Sequence, residues 1–315
     1  MLRKKVLVIG ELNVDILLNG IASFPELGKE ILAEDMKTVL GSSSAIFAAN
    51  LAALGNDVSF CGAVGDDETG RFVIAELQAA GVKTHFTKQA INMGTGATLL
   101  LNYGQDRAAV TYCGAMDDFG IHDIPWQEVQ HFDHVHLSNF FVQKNLRKDI
   151  LQILRRLKTK GVTTSLDLQW DVKGQWDFEY KIGLDYVDIF MPNESELFAL
   201  TKTNTLDDAI HEIKPYAHFT ALKMGEMGSM GIYDEKQTFI EAFTMGSFVD
   251  AIGAGDSYNA GFIHKYLQDA PYDECLKMGN ITGAISTTAA GGTAAFKDKI
   301  KTEQKINELL ALHKI

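Results

Sequence analysis

The chain has 315 residues, of which 46% are hydrophobic and 22% charged. That is enough apolar material for a sizeable core and not the make-up of a disordered chain. Its 29 basic and 41 acidic side chains leave a formal charge of -12, which repels nucleic acid and anionic membranes at long range but leaves local backbone N–H groups free to hold a nucleotide.

The first element in the chain is Val6-Leu7-Val8-Ile9, a continuous apolar run stopped by Gly10. It reads as a strand covered on both faces. It is too short for the apolar core of a signal sequence, and no later stretch approaches the roughly 18 apolar residues of a membrane span. A cytoplasmic location is therefore expected, with no membrane or nucleic-acid partner. The three cysteines, Cys61, Cys113 and Cys275, match neither a disulfide framework nor a zinc spacing.

Residues 43 to 54 form a small-residue helix closed by Gly55, and Asp67 to Ala80 a helix closed by Gly81. Between them Val58 to Val64 reads as a strand. His134 to Ser138, Val162 to Leu168, Asp185 to Met191 and His218 to Lys223 are further strand candidates, and Asn145 to Lys160 is an amphipathic helix closed by Gly161. The last third is helical over Ala254 to Leu267, Tyr272 to Ala290 and Glu303 to Leu312. Strands alternating with glycine-capped helices predict an α/β three-layer sandwich with a mostly parallel central sheet, built as a single domain over residues 1–315.

Two stretches break the alternation. Residues 11–38 form a loose, partly alternating segment, and residues 94–112 contain strand, turn and strand around Tyr103-Gly104-Gln105-Asp106. Together they predict a small antiparallel β appendage near the carboxyl ends of the main strands, either a lid or an ordinary peripheral hairpin.

The segment Val249 to Phe262 carries the strongest chemical signal. Gly253 and Gly255 allow a tight turn, and the helix that starts there offers unpaired N–H groups and a positive dipole end. Such a turn can cradle phosphate and offset charge during phosphoryl transfer. Asp256 in the first turn can take a proton from an alcohol beside that phosphate, or can cap the helix. No P-loop and no three-glycine dinucleotide fingerprint is present. His134 and His136 share one strand face, but no third ligand of standard spacing accompanies them.

Several motifs in order resemble the ribokinase-like (PfkB) carbohydrate kinases, from Gly10 to about Gly292. Asp250-Ala251-Ile252-Gly253-Ala254-Gly255-Asp256-Ser257 is similar to that family's C-terminal signature. The resemblance implies Asp256 as catalytic base, an anion hole from Gly253, Ala254 and Gly255, and Asp250 beside a monovalent cation such as K+. Gly10-Glu11-Leu12-Asn13-Val14-Asp15 resembles the substrate-binding opening, with Asn13 and Asp15 on sugar hydroxyls; outside that context Asp15 reads as a turn residue. Gly62 to Gly70 resembles a structural block in which the Asp66-Asp67 pair caps a helix.

Asn193-Glu194-Ser195-Glu196 is similar to the family's Asn-x-x-Glu motif, which implies Glu196 acting through water on the Mg2+ of ATP; without the family, both glutamates read as helix-start acids. Lys223 to Gly228, with Lys223, Gly225 and Gly228, resembles the loop beside the nucleotide, and Asn280 and Gly292 fall where the family shapes its adenine pocket. The N-terminal signature departs most. Gly41 is kept, Ser42 replaces a second glycine and Ile46 stands at an asparagine position, with Asn50 one turn later as a substitute acceptor contact. Ala251 stands where the family usually has threonine. The implied function is transfer of the ATP γ-phosphate to a hydroxyl of a sugar or sugar-like molecule. A nucleoside kinase of this fold and a catalytically weak binding module are the alternatives. Lids of this family cover one substrate or pair between subunits, so a homodimer through the lid is a candidate assembly.

Overall fold

The computed structural model describes residues 4–103, 106–246 and 248–312. The chain begins with strands β1 (Lys5–Ile9), β2 (Asn13–Asn19) and β3 (Asp35–Leu40), then helix α1 (Ser43–Ala53), β4 (Asp57–Gly65), α2 (Glu68–Ala80) and β5 (Lys83–Ala90). Next come β6 (Gly96–Tyr103), β7 (Asp106–Tyr112), β8 (His134–Ser138), α3 (Lys144–Thr159) and β9 (Thr163–Asp167). A short α4 (Tyr180–Gly183), β10 (Ile189–Phe190), α5 (Glu194–Thr201), α6 (Leu206–Ile213) and β11 (Thr220–Lys223) follow. The chain closes with the hairpin β12 (Gly228–Tyr233) and β13 (Lys236–Glu241), and helices α7 (Ala254–Tyr266), α8 (Tyr272–Ser286) and α9 (Lys299–Leu312).

Nine strands form one sheet in the order β13-β12-β11-β10-β9-β8-β1-β4-β5. Every pairing from β5 to β11 is parallel, and the β11–β12–β13 edge is antiparallel. The β1 side chains alternate between the two faces: Val6 and Val8 pack with α1 and α7 residues such as Phe47 and Phe262, whereas Leu7 and Ile9 pack with the α3 side, including Ile153 and Leu157. Burial on both faces accounts for the unbroken apolar run of β1. Gly55, Gly81 and Gly161 sit at the helix ends with φ of 100°, 94° and 73°, the left-handed conformation expected of C-terminal glycines.

A second sheet of four strands, β3-β2-β6-β7, forms the expected appendage, called the lid below. The β2–β3 and β6–β7 pairs are antiparallel, and the β2–β6 pair that joins them is parallel. The reason is connectivity: β2 follows β1 and β6 follows β5, so both leave the carboxyl edge of the main sheet in the same sense. The turn residues Gly104 and Gln105 lie outside the described residues.

Several elements differ from the sequence reading. The strand expected over 185–191 shrinks to Ile189–Phe190, because residues 184–186 wind into a single helical turn. The helix expected to reach Ala290 stops at Ser286. The β5 and α6 segments and the β12–β13 hairpin have no counterpart in the sequence reading, and α5 begins at Glu194, in accord with Glu194 and Glu196 as helix-start acids. Among the described residues no helix is long and apolar enough to cross a membrane.

Candidate active site

The carboxyl ends of β1, β8, β9, β10 and β11 converge under the lid with the start of α7. Parallel α/β sheets place their sites at this edge. Asp256 occupies the first turn of α7, with 7% of its surface exposed. The Gln169 side-chain amide donates to its Oδ1 at 3.0 Å and to Asp167 Oδ2 at 3.1 Å. Burial, then the nearby Asp167 charge, pushes the Asp256 carboxyl up to about 7, although Lys223 pulls the other way.

Asp167, at the end of β9, has no exposed surface and accepts a bond from Lys223 Nζ at 2.7 Å and another from Asn259 Nδ2. Burial disfavours the Lys223 ammonium, but Asp167 and Glu196 outweigh it and hold its pKa above the ordinary range. Burial and Asp167 likewise raise Glu196 to about 7. Asn193 and Glu196 form a reciprocal capping box: Glu196 N–H donates to Asn193 Oδ1 and Asn193 N–H to Glu196 Oε2, both at 2.9 Å. The Asn-x-x-Glu motif thus builds the start of α5 and at the same time puts a buried carboxyl beside Lys223 and Asp167.

The glycine-shaped turn has the form expected of an anion hole. Gly253 is the N-terminal cap of α7, with φ 72°, and supplies no side chain to satisfy the first-turn N–H groups. A Cβ on Gly253 would lie 2.5 Å from the Gly292 Cα, so neither loop can carry a larger residue without moving. A Cβ on Gly255 would meet Lys223 Nζ at 3.7 Å, which sets the ammonium against this turn. The Ala254 N–H bonds the Ala251 carbonyl at 3.2 Å. The donors left for an anion are therefore those of Gly253, Gly255 and Asp256. Asp250 clasps two segments: its carboxylate accepts from Ile252 N–H at 2.9 Å and Gly291 N–H at 3.0 Å.

On the acceptor side, a cleft of about 200 Å³ is lined by Glu11, Asn13, Thr98, Thr111, Met116, Asn139, Val142, Gln169, Trp170 and Val172. Asn13 donates to Asp15 Oδ1 at 3.0 Å and to Thr98 Oγ1 at 2.9 Å, joining the roots of β2 and β6. Burial raises Asp15 to about 6, opposed by the Asn13 bond and the Arg107 charge. A side chain at Gly41 would occupy the space of the Asp15 carboxylate.

Several expected residues sit away from this cleft. Asn50 donates to Ser257 Oγ and the Gly292 carbonyl, each at 2.9 Å, and so braces α1 against α7 instead of facing an acceptor. Ile46 is also turned from the cleft: a Cβ on Gly292 would lie 2.6 Å from its Cδ1, so it packs under the Gly253–Gly292 contact. Asn280 donates to the Ile240 and Glu241 carbonyls at 2.9 and 3.0 Å, tying α8 to β13. Gly225, with φ 55°, has open space around it; Gly228, with φ 122°, fits a tight approach to Ile240 and Ala242.

Sequence reasoning missed Asp167, Gln169, Asn259 and the buried network of Glu11. Glu11 is 2% exposed and accepts from Ser44 N–H at 3.2 Å, from Ser44 Oγ, and from Asn139 Nδ2 at 3.3 Å. Burial lifts it to about 7. An acid closing a strand in Ser165-Leu166-Asp167 was the available signal for Asp167. Gln169, with φ 59°, carried none. The histidine pair is bound into the sheet: His134 bonds Thr163 and Ser165 hydroxyls at 2.8 and 2.7 Å, and His136 stacks on Phe47 with ring centroids 3.7 Å apart.

Comparison with known proteins agrees with this architecture. The chain is 28% identical over 300 residues to an ATP-dependent ribose-1-phosphate kinase of Halopiger xanaduensis, covering 92% of this chain and 94% of the relative. It is 28% identical over 236 residues to an uncharacterized sugar kinase of Archaeoglobus fulgidus, covering 74% and 92%. In fold it resembles adenosine kinase from Sinorhizobium meliloti, with a TM-score of 0.85 at 24% identity over 96% of this chain and 99% of that one. The family model for pfkB family carbohydrate kinases matches residues 3–299, and the chain belongs to that family.

Proposed function

We propose that this protein transfers the γ-phosphate of ATP to a hydroxyl of a sugar or sugar-like small molecule. The observation that carries the reading is one buried carboxyl, Asp256, at the mouth of a glycine-shaped helix start, within a bonded network that reaches the acceptor cleft through Gln169. The relatives named as sugar and ribose-1-phosphate kinases support the reaction class.

The residues fit a nucleotide. The free N–H groups of Gly253, Gly255 and Asp256 and the adjacent Lys223 ammonium would hold the terminal phosphates, and Gly225 would border the remainder of the nucleotide. Glu196, a buried carboxyl beside Lys223, would hold Mg2+ through water, and Mg2+ when bound offsets phosphate charge. Asp250, with both oxygens already accepting backbone N–H groups, would support K+ only through its neighbouring carbonyls.

Asn13 and Asp15 would orient the acceptor through charge-assisted hydrogen bonds. Asp256 would accept the proton of the attacking hydroxyl. Its raised pKa, about 7, leaves the base form accessible at neutral pH and suits a proton acceptor there. The lid would exclude water, the competing acceptor. It also carries Met36, Leu99 and Val110, which by strand register share its second face with Leu18 and are 65%, 36% and 66% exposed. We assign that apolar face to a homodimer contact. The protein would act in the cytoplasm.

The test is an acceptor screen of sugars, sugar acids, sugar phosphates and nucleosides with ADP detection, run on the native chain and on Asp256→Asn. The reading expects acceptor-dependent ADP release that the variant lowers at least about 100-fold. A folded variant with undiminished phosphorylation of the same acceptor removes Asp256 from the chemistry. Binding of nucleotide and sugar with no turnover across the panel leaves a binding module in its place.

A further inference from the structure

The residues that line the acceptor cleft are of two kinds: Glu11, Asn13, Asn139, Thr98, Thr111 and Gln169 are polar, and Met116, Val142, Trp170 and Val172 are apolar. Trp170 and Val172 are 54% and 69% exposed, an unusual setting for an indole unless it receives something.

The loop that carries them is held rigid. Asp171, with no exposed surface, takes a two-pronged bond from Arg147, both contacts at 3.0 Å, and accepts the N–H groups of Lys173, Gln175 and Trp176 at 3.0, 3.0 and 2.8 Å. Arg147 lies over the Phe141 ring, Phe141 meets Trp176 edge-on, and Trp176 meets Trp170 edge-on at 5.1 Å and 82°. Trp170 thereby has a ring contact before any ligand arrives, which lowers the ordering entropy lost on binding. Its chain neighbour Gln169 bonds the Asp256 carboxylate, so the segment that carries the platform also touches the base on α7.

The cleft is also acidic in its surroundings. Glu11 lines it and Asp15 and Asp256 border it, while none of the described residues lining it is Lys or Arg. A basic side chain on the lid, Arg107, acts on Asp15.

We infer that Trp170 is a specificity-determining residue that stacks on a flat apolar face of an uncharged, ring-shaped acceptor. A cyclic sugar offers such a face in its C–H surface, and a nucleoside offers one in its base; in both, the hydroxyl edge is left for the polar residues of the cleft. Anionic sugars are disfavoured by the acidic surroundings. The inference rests on the kinase reading for its site and goes beyond it in naming the acceptor.

The experiment uses the full chain and two variants, Trp170→Ala and Trp170→Phe, with thermal melts to confirm folding. Cyclic sugars and nucleosides are titrated against intrinsic fluorescence, which reports Trp170 as the exposed member of three tryptophans. Steady-state kinetics with ATP follow on the same compounds, on acyclic polyols, and on sugar acids and phosphates. Expected are quenching by a neutral ring compound, a KM for it raised about 10-fold or more in Trp170→Ala with kcat within about threefold, and recovery in Trp170→Phe. Sugars and nucleosides are separated by which arm gives the higher kcat/KM.

An unchanged KM in folded Trp170→Ala overturns the inference and leaves the kinase reading standing, as does a best acceptor that is anionic or acyclic. Quenching without turnover of any acceptor removes the kinase reading and keeps the platform. Absence of both quenching and turnover removes the two together.

Discussion

Gln169 donates its side-chain amide to the Asp256 carboxylate at 3.0 Å, from a residue held at φ 59°. A donor aimed at a carboxylate favours its charged form, so this bond restrains a pKa that burial drives upward. Gln169→Leu removes the donor without adding charge. The acidic limb of the kcat/KM profile is expected near pH 7 in the native chain and displaced upward by about one unit in the variant, since one unit corresponds to ~1.4 kcal/mol. A profile that stays in place would show that the amide does not act on the base.

Glu11, Glu196 and Asp256 are each raised to about 7 in the folded state. The folded chain therefore binds protons that the unfolded chain releases near its ordinary carboxylate values. Stability from these groups is fully present below those values, falls as pH rises towards 7, and stays lost above it. Asp256→Asn and Glu11→Gln abolish the ionisation that causes the loss. Each is expected to melt about 2–4 °C above the native chain at pH 8, with the difference shrinking by pH 5. Melts at the two pH values check the sign. For Asp256→Asn the same change should remove activity, a trade between stability and function.

Gly253→Ala places a methyl group 2.5 Å from the Gly292 Cα at a residue with φ 72°. Both the steric contact and the backbone conformation oppose it, so a stability loss of about 1–3 kcal/mol is expected. If the turn holds the transferring phosphate, kcat should fall about 100-fold or more in the fraction that folds. Single-turnover kinetics on the folded variant separate the two effects.

Asp171→Ala leaves the Arg147 guanidinium, whose side chain is 11% exposed, with only the more exposed Asp177 as an acidic partner. Removing one member of a buried pair costs about 3–5 kcal/mol. The melt should shift down accordingly, and acceptor KM should rise because the loop holding Trp170 loses its three N–H contacts to Asp171. Calorimetric melting together with acceptor kinetics tests both.

Val110→Asp, on the exposed lid face, puts a charge where the homodimer contact is assigned. Light scattering is expected to report a dimer for the native chain and a monomer for the variant, at unchanged helix content. A native monomer at micromolar concentration would refute the assignment.

Much of the fold was readable because its signals are local. Val6 to Ile9 announced a two-sided strand, and Gly55, Gly81 and Gly161 marked helix ends that the backbone confirms with positive φ. Asp256 and Gly253 were readable because a glycine turn and its helix lie in one short stretch. Asp167 and Asn259 escaped notice because they are 92 positions apart and acquire meaning only when β9 and α7 meet. Asn50 was misread for the complementary reason: helical spacing gave the face of α1, but not that α7 and Gly292 would cover it. Asp67 was read correctly as a cap, yet its second engagement, with Thr95 N–H at 2.7 Å, depends on a residue 28 positions away.

That last contact, with the parallel β2–β6 pairing, determines how the lid can move. Its outgoing strands leave the body side by side, one at Asn13 and the other at Thr95, where Asp67 pins it, and the returning strands rejoin the body beside them at Leu40 and Tyr112. A plate held along one edge swings about that edge and resists twisting. Asn13 lies on that edge and Asp15 just beyond it, so a drawbridge motion would carry the far edge through a wide arc and leave the Asn13 amide almost still.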